Sequence, residues 1–299
     1  MVPYDEFSMF SENAAEFDIA YHGPPTVERV WADLGDGRRL SGLKWGAGSP
    51  ELVFLHGGAQ NAHTWDTVAL ALDRPMLCLD LVGHGHSDAP AAGTRALSRN
   101  AEDVAVAVSS LAPGANAVVG MSLGGLTSLA LIDHAPHLVS RTVLVDITPG
   151  VDEKKASAIT AFVNGPESFP SFDELLARTM EFNPTRSESS LRRGILHNAE
   201  QRPDDSWVWR YARHRSAEPS TDTPMPDLGF LWDVIEAAEV PMMLVRGLRK
   251  GSVVDDADEA EFRRRRPAAQ VEHVAEAGHS IQGDAPIELA GLIAGFVVS

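Results

Sequence analysis

The sequence predicts an α/β fold with a mostly parallel, eight-stranded sheet flanked by helices. Three observations carry that expectation. Six short apolar runs recur along the chain, at residues 52–55, 76–81, 117–119, 142–145, 242–245 and 271–274. Helical stretches separate most of them; residues 101–111, for example, place Val104, Val108 and Leu111 at helical spacing. The alternation then breaks once, between about Gly150 and Val240. Strands alternating with helices build βαβ units, and parallel neighbours need such crossovers.

In chain order, residues 1–26 read as an N-terminal accessory segment closed by Pro24-Pro25. Residues 27–32 and 39–45 flank Asp36-Gly37, a hairpin signal that supplies the first two strands. After the run 117–119, residues 123–132 read as a helix that stops near Pro136. The interrupted region is helical and punctuated, with stretches at 153–163, 172–181, 189–198, 207–213 and 231–237. Pro166, Pro170, Pro184, Pro203, Pro219, Pro224 and Pro226 break it up, and Trp207, Trp209 and Trp232 fall inside it. It is expected to form a helical cap, residues 150–239, inserted after the sixth strand into a core made of 27–149 and 240–299. Such a cap would cover the C-terminal edge of the sheet, where open α/β sheets bind ligands. Near the end, Asp255, Asp256, Asp258, Glu259 and Glu261 precede Arg263-Arg264-Arg265-Arg266. Acids early and arginines late suit one solvated helix rather than an anion site.

Composition narrows the function classes. The 299 residues carry 25 basic against 42 acidic side chains, a formal charge of −17. A nucleic-acid binder needs a basic face, so this balance argues against nucleic acid and against an anionic membrane surface. The single cysteine, Cys78, permits no intramolecular disulfide and lies in an apolar run, where a buried small hydrophobe is the expected role. The first eighteen residues hold five acids and no Lys or Arg, unlike a secretory leader. No apolar stretch approaches a membrane span. A cytoplasmic protein acting on a small molecule is expected; the oligomeric state stays open.

The chemistry concentrates in Val118-Val119-Gly120-Met121-Ser122-Leu123-Gly124-Gly125, a Gly-x-Ser-x-Gly set directly between strand and helix. A serine hydroxyl is a poor nucleophile unless it stands clear of the backbone beside a base. A tight strand-to-helix turn presents it so, and the crowding of that turn demands small residues at Gly120 and Gly124. The helix N-terminus adds N–H groups aimed at the reacting centre.

With this elbow stand Phe54-Leu55-His56-Gly57-Gly58, then Leu79-Asp80-Leu81-Val82-Gly83-His84-Gly85-His86-Ser87-Asp88, then Ala277-Gly278-His279-Ser280. In that order they resemble the α/β-hydrolase family from about Val27 to the C-terminus. The stretch from His56 to Asp66 is similar to actinobacterial, particularly mycobacterial-type, serine ester hydrolases. The resemblance implies Ser122 as nucleophile, His279 as general base, and an oxyanion hole from the backbone N–H groups of Gly58 and Leu123. It gives the His84–His86 loop a structural role, shaped by Gly83 and Gly85, rather than a metal. The triad acid stays open. The family's commonest position is the loop after residues 242–245, where Asp255 and Asp256 come late and read as a helix start. Asp146, at the end of the sixth strand, is preferred because some members draw their acid from there. The implied activity is ester hydrolysis through an acyl-enzyme, with no metal or organic cofactor. Lactone or carbon–carbon bond hydrolysis would use the same serine machinery, and a ligand receptor with little turnover would keep the same fold.

Overall fold

The computed structural model describes residues 4–90, 97–211 and 227–298. Its main sheet has eight strands: β1 (Val27–Asp33), β2 (Arg39–Trp45), β3 (Leu52–Leu55), β4 (Met76–Leu79), β5 (Ala117–Met121), β6 (Thr142–Val145), β10 (Met242–Gly247) and β11 (Gln270–Val274). Three short strands, β7 (Ser168–Phe169), β8 (Ala199–Gln201) and β9 (Trp207–Trp209), form a separate antiparallel sheet in the order β7-β9-β8. The main order is β1-β2-β4-β3-β5-β6-β10-β11. The β1–β2 hairpin pairs antiparallel, as does β2 with β4, and every pairing from β4 onward is parallel.

The central strands are buried on both faces, which is why they read as continuous apolar runs rather than alternating ones. Val53, Leu55, Leu77, Leu79, Val118, Leu144 and Leu244 point to one face, into a core shared with helices α3 (Leu97–Leu111), α4 (Leu123–His134), α8 (Phe230–Ala237) and α9 (Asp256–Arg265). Phe54, Met76, Cys78, Val119, Val143 and Val245 point to the other, against α2 (Asp66–Leu72) and α10 (Pro286–Val298). Cys78 is fully buried there. The accessory segment carries a short helix, α1 (Phe10–Glu16), whose Phe10 ring meets Trp45 edge-on at 4.9 Å between centroids.

The insertion after β6 departs from the expected helical cap in two respects. It contains α5 (Ser157–Val163), α6 (Phe172–Phe182) and α7 (Glu188–Asn198), but residues 207–209 form a strand where a helix was expected. Trp207-Val208-Trp209 is an aromatic and β-branched triplet, which suits a pleated surface better than a helix. Residues 210–211 follow as a 3-10 turn, and 212–213 of that expected helix lie outside the described residues. Second, the expected limit of 239 runs too far. Leu231 and Ile235 of α8 are fully buried in the main core, and α8 packs on α4 and α9, so it belongs to the helical layer of the sheet. The inserted elements have a small core of their own: Phe169, Leu175, Ile195, Leu196, Trp207 and Trp209, joined by Met9 from the N-terminal segment and Ala59 from the main domain.

No helix among the described residues is long and apolar enough to cross a membrane.

Candidate active site

Ser122 stands where β5 turns into α4. Its backbone is held at φ 52° and ψ −118°, a region non-glycine residues avoid. The turn leaves no space at its flanks. A Cβ on Gly120 would lie 2.4 Å from the carbonyl oxygen of Gly124, and one on Gly124 would lie 2.1 Å from that of Leu55. Both expected elbow glycines are thus required sterically. Met121, the last residue of β5, is buried, and its sulfur lies where a Cβ on Gly57 would fall, at 2.5 Å. The elbow and the loop after β3 are therefore in direct contact.

That loop is clamped from several sides. His56 is fully buried; its Nδ1 lies 2.7 Å from the Gly57 carbonyl, and its Nε2 accepts the Leu81 N–H at 2.9 Å. The second bond places the ring proton on Nδ1, and burial pushes the imidazole down to about 3, so the ring is neutral. His84 Nε2 accepts the Ala59 N–H at 3.1 Å, and Asn198 Nδ2 donates to the Ala59 carbonyl at 2.6 Å. Ala59 itself sits at φ 61°. The His84 loop is shaped as expected: Gly83 and Gly85 have φ 75° and 51°, and a Cβ on Gly85 would lie 2.3 Å from the Asp80 carboxylate. His84 therefore braces the turn that carries Gly58. The Gly58 N–H has no acceptor among the described residues, and Leu123, as the first residue of α4, has no intrahelical acceptor for its own.

His279 follows β11, and its Nδ1 lies 2.9 Å from Asp146 Oδ2. Asp146 is fully buried at the end of β6, at φ 47°, with its N–H on the Val245 carbonyl at 2.8 Å. Its carboxylate is saturated. Oδ1 accepts from Gly247 N at 3.0 Å and Ser252 Oγ at 2.6 Å; Oδ2 accepts from Val253 N at 3.0 Å besides His279. An ionised carboxylate only accepts, so the facing His279 nitrogen carries its proton and Nε2 remains for chemistry. The end of β10 and the loop after it, which lacks an early carboxylate, instead supply three donors to Asp146.

The rival acids are engaged elsewhere. Asp255 caps α9: its Oδ1 accepts the Asp258 N–H at 2.9 Å, Asp258 returns the bond, and Lys155 lies 3.0 Å away. Asp256 is almost fully exposed and pairs with Arg246 at 2.8 Å. The Arg263–Arg266 run behaves as a solvated face, with Arg263, Arg264 and Arg265 paired to Glu259 and Glu261.

Ser122, His279 and Gly58 line one cavity of about 260 Å³. The inserted segment closes it with Ala158, Ile159, Phe162 and Phe182, an apolar wall.

Sequence reasoning missed a buried polar cluster beside this cavity. The rings of His63 and His197 stack at 3.7 Å with 10° between planes. His63 bonds Asp66 at 2.9 Å and Glu6 at 3.0 Å; His197 bonds the Tyr4 hydroxyl at 2.8 Å. Burial lowers His63, but Asp66 and Glu6 more than reverse it, to about 9. Burial together with that cation holds His197 well below the usual range. His63, Asp66 and His197 are close enough to be considered as a metal-binding group. Stacked rings, however, hold their lone pairs in parallel planes, and one ion cannot lie in both. No local signal marks the cluster, because its members come from three distant parts of the chain.

Comparison with known proteins identifies the family. A model of the alpha/beta hydrolase family matches residues 52–292. The chain is 42% identical to a Mycobacterium tuberculosis protein, esterase Rv0045c, over 97% of this chain and 95% of that one. A solved structure of that esterase superposes with a TM-score of 0.85 at 41% identity, covering 100% of both chains. A Mesorhizobium japonicum 2-(acetamidomethylene)succinate hydrolase is 27% identical over 84% of this chain and 88% of its own length. With a glycine-flanked serine on a strained strand-to-helix turn and near-full-length likeness to a mycobacterial relative, this chain belongs to the alpha/beta hydrolase family.

Proposed function

We propose that the protein is a serine ester hydrolase working through an acyl-enzyme. Ser122 Oγ attacks the ester carbonyl while His279 Nε2 takes its proton. The N–H groups of Gly58 and Leu123 hold the oxyanion, and His279 returns the proton to the leaving alcohol. Water, activated by the same imidazole, then releases the acid and restores Ser122. Asp146 holds the ring tautomer and stabilises the imidazolium. The observation that carries this reading is the 2.9 Å bond between His279 and a fully buried, four-fold hydrogen-bonded Asp146, on the cavity that Ser122 enters. The name of the M. tuberculosis relative supports a carboxylic ester as substrate. The inserted residues, ending before α8, act as the cap that selects it.

Ser122→Ala is the test. Wild type should turn over p-nitrophenyl butyrate and take one fluorophosphonate group on Ser122, read by mass spectrometry; the variant should do neither while keeping its circular dichroism. Turnover by pure Ser122→Ala protein at more than about a thousandth of the wild-type rate would refute the mechanism.

A further inference from the structure

A second chamber of about 160 Å³ lies beside the first. The two share Ala59, Gln60, Phe162 and Asn183 as walls, so they lie against each other. The first chamber has an apolar cap wall, whereas this one is lined mainly by polar side chains from α1, α7 and the loop before α2. Four buried polar atoms on it have no partner: Arg186 Nε, Gln282 Oε1, His197 Nε2 and Asp66 Oδ1. Buried polar atoms are rarely left unbonded, and a cluster of them on one cavity marks a place for a polar ligand or ordered water.

Charge singles out one member. Arg193 on this chamber is matched by Glu16 and Glu12, and His63 by Glu6 and Asp66. Arg186 forms no ion pair among the described residues. Its nearest acids are otherwise engaged, Asp284 by the Gly278 N–H at 3.0 Å and Glu16 by Arg193 and Ser187. Of five N–H groups on the guanidinium, one goes to Ser190 Oγ and the Nε–H meets nothing. Space is reserved for this group, since a Cβ on Gly283 would lie 2.5 Å from Arg186 Nη1. Burial lowers its pKa, while the charges of Asp284 and Glu16 pull the other way. A partly buried guanidinium whose N–H groups lack acceptors is costly unless something anionic completes it.

We propose that Arg186 is a specificity residue that anchors a free carboxylate on the substrate, so that the preferred substrates are half-esters of small dicarboxylic acids. This rests on the ester hydrolase reading. A planar guanidinium fork matches a carboxylate. A single guanidinium matches a monoanion, whereas a phosphate dianion brings one charge more.

The test compares monoethyl glutarate with ethyl valerate, in which a methyl group replaces the carboxylate. Arg186→Gln should reduce kcat/KM for the half-ester about 10- to 100-fold more than for the neutral ester, chiefly through KM. Arg186→Lys should fall between, since it keeps the charge but loses the fork; it carries the test if the glutamine variant does not fold. An equal effect on both esters overturns the proposal. If wild type hydrolyses neither ester, the hydrolase reading fails separately, and calorimetry with glutarate decides the site. Weaker glutarate binding to Arg186→Gln supports the anchor, and unchanged binding overturns it. Inorganic phosphate serves as the competing ligand; Arg186-dependent binding of phosphate but not glutarate also overturns the proposal.

Discussion

Asp146 does two jobs at once, and its substitutions separate them. It bonds His279, which it orients in the proposed mechanism, and it terminates the hydrogen bonds of Gly247, Ser252 and Val253. Each carboxylate oxygen takes two donors, so an amide in either orientation turns its NH₂ group against N–H or O–H donors. Asp146→Asn is nearly isosteric, yet it should cost about 1–3 kcal/mol of stability from those unsatisfied donors. It should also lower kcat by about 10³- to 10⁴-fold through loss of the tautomer, by analogy with the same change in a serine protease. Asp255→Asn should leave both nearly unchanged, because asparagine caps a helix as well as aspartate does. Asp256→Asn loses only one exposed ion pair, worth about 0–1 kcal/mol. Chemical denaturation and steady-state kinetics on the three variants check this; a dead Asp255→Asn or Asp256→Asn beside an active Asp146→Asn would overturn the assignment.

At the scale of elements, α1 ties the main domain to the insertion. Arg193 of α7 is 3% exposed; it donates to Asn13 at 2.7 Å and Ser189 at 2.7 Å and pairs with Glu16. Ser187 caps α7 and also reaches Glu16. From the same segment, Glu6 pairs with Arg29 of β1, and Tyr4 reaches His197. The accessory segment is therefore a strap fastened at both ends. Arg193→Ala removes one partner of a largely buried ion pair and leaves Asn13 and Glu16 unmatched, a loss of about 3 kcal/mol. A lower melting temperature and faster proteolysis between α1 and β1 are expected. Wild-type proteolysis rates in the variant would show that the strap does not depend on this residue.

The molecule as a whole should respond to pH through the same strap. His63, raised from an ordinary 6.5 to about 9, gains stability from its carboxylate partners in the cationic form. That contribution is complete below about 6.5 and is lost as pH rises through about 9. For Glu6, burial works against ionisation, but bonds to His63 and Arg29 bring it down to about 2 from 4.5. Its contribution is present above about 4.5 and disappears as pH falls through about 2. Both operate together between about 4.5 and 6.5. His63→Gln should therefore lower the melting temperature at pH 6 by an amount worth up to a few kcal/mol, and much less at pH 10. An equal loss at both values would mean that His63 contributes packing rather than charge.

The sequence alone determined the fold class, the strands of the main sheet and the place of the glycine-flanked serine between strand and helix. Strands buried on both faces must be short and apolar throughout, and a serine on a crowded turn must be flanked by glycine; both constraints are local and leave a local mark. Ser122 stood out as a candidate for that reason, and the resemblance to a known family supplied His279 as its proposed partner. What only the tertiary structure decided depends on contacts between distant segments. Asp146 and Asp255 are both carboxylates near a strand end or helix start, and their difference appears only when the loop 247–253 folds over one and α9 over the other. Residues 207–209 became a strand because β7 and β8 offered it edges. Leu231 and Ile235 of α8 went to the main core because their apolar face met α4 in the same helical layer. The His63–Asp66–His197 stack and the unmatched Arg186 left no pattern at all, since charge compensation and burial are properties of an enclosed space and not of any stretch of chain.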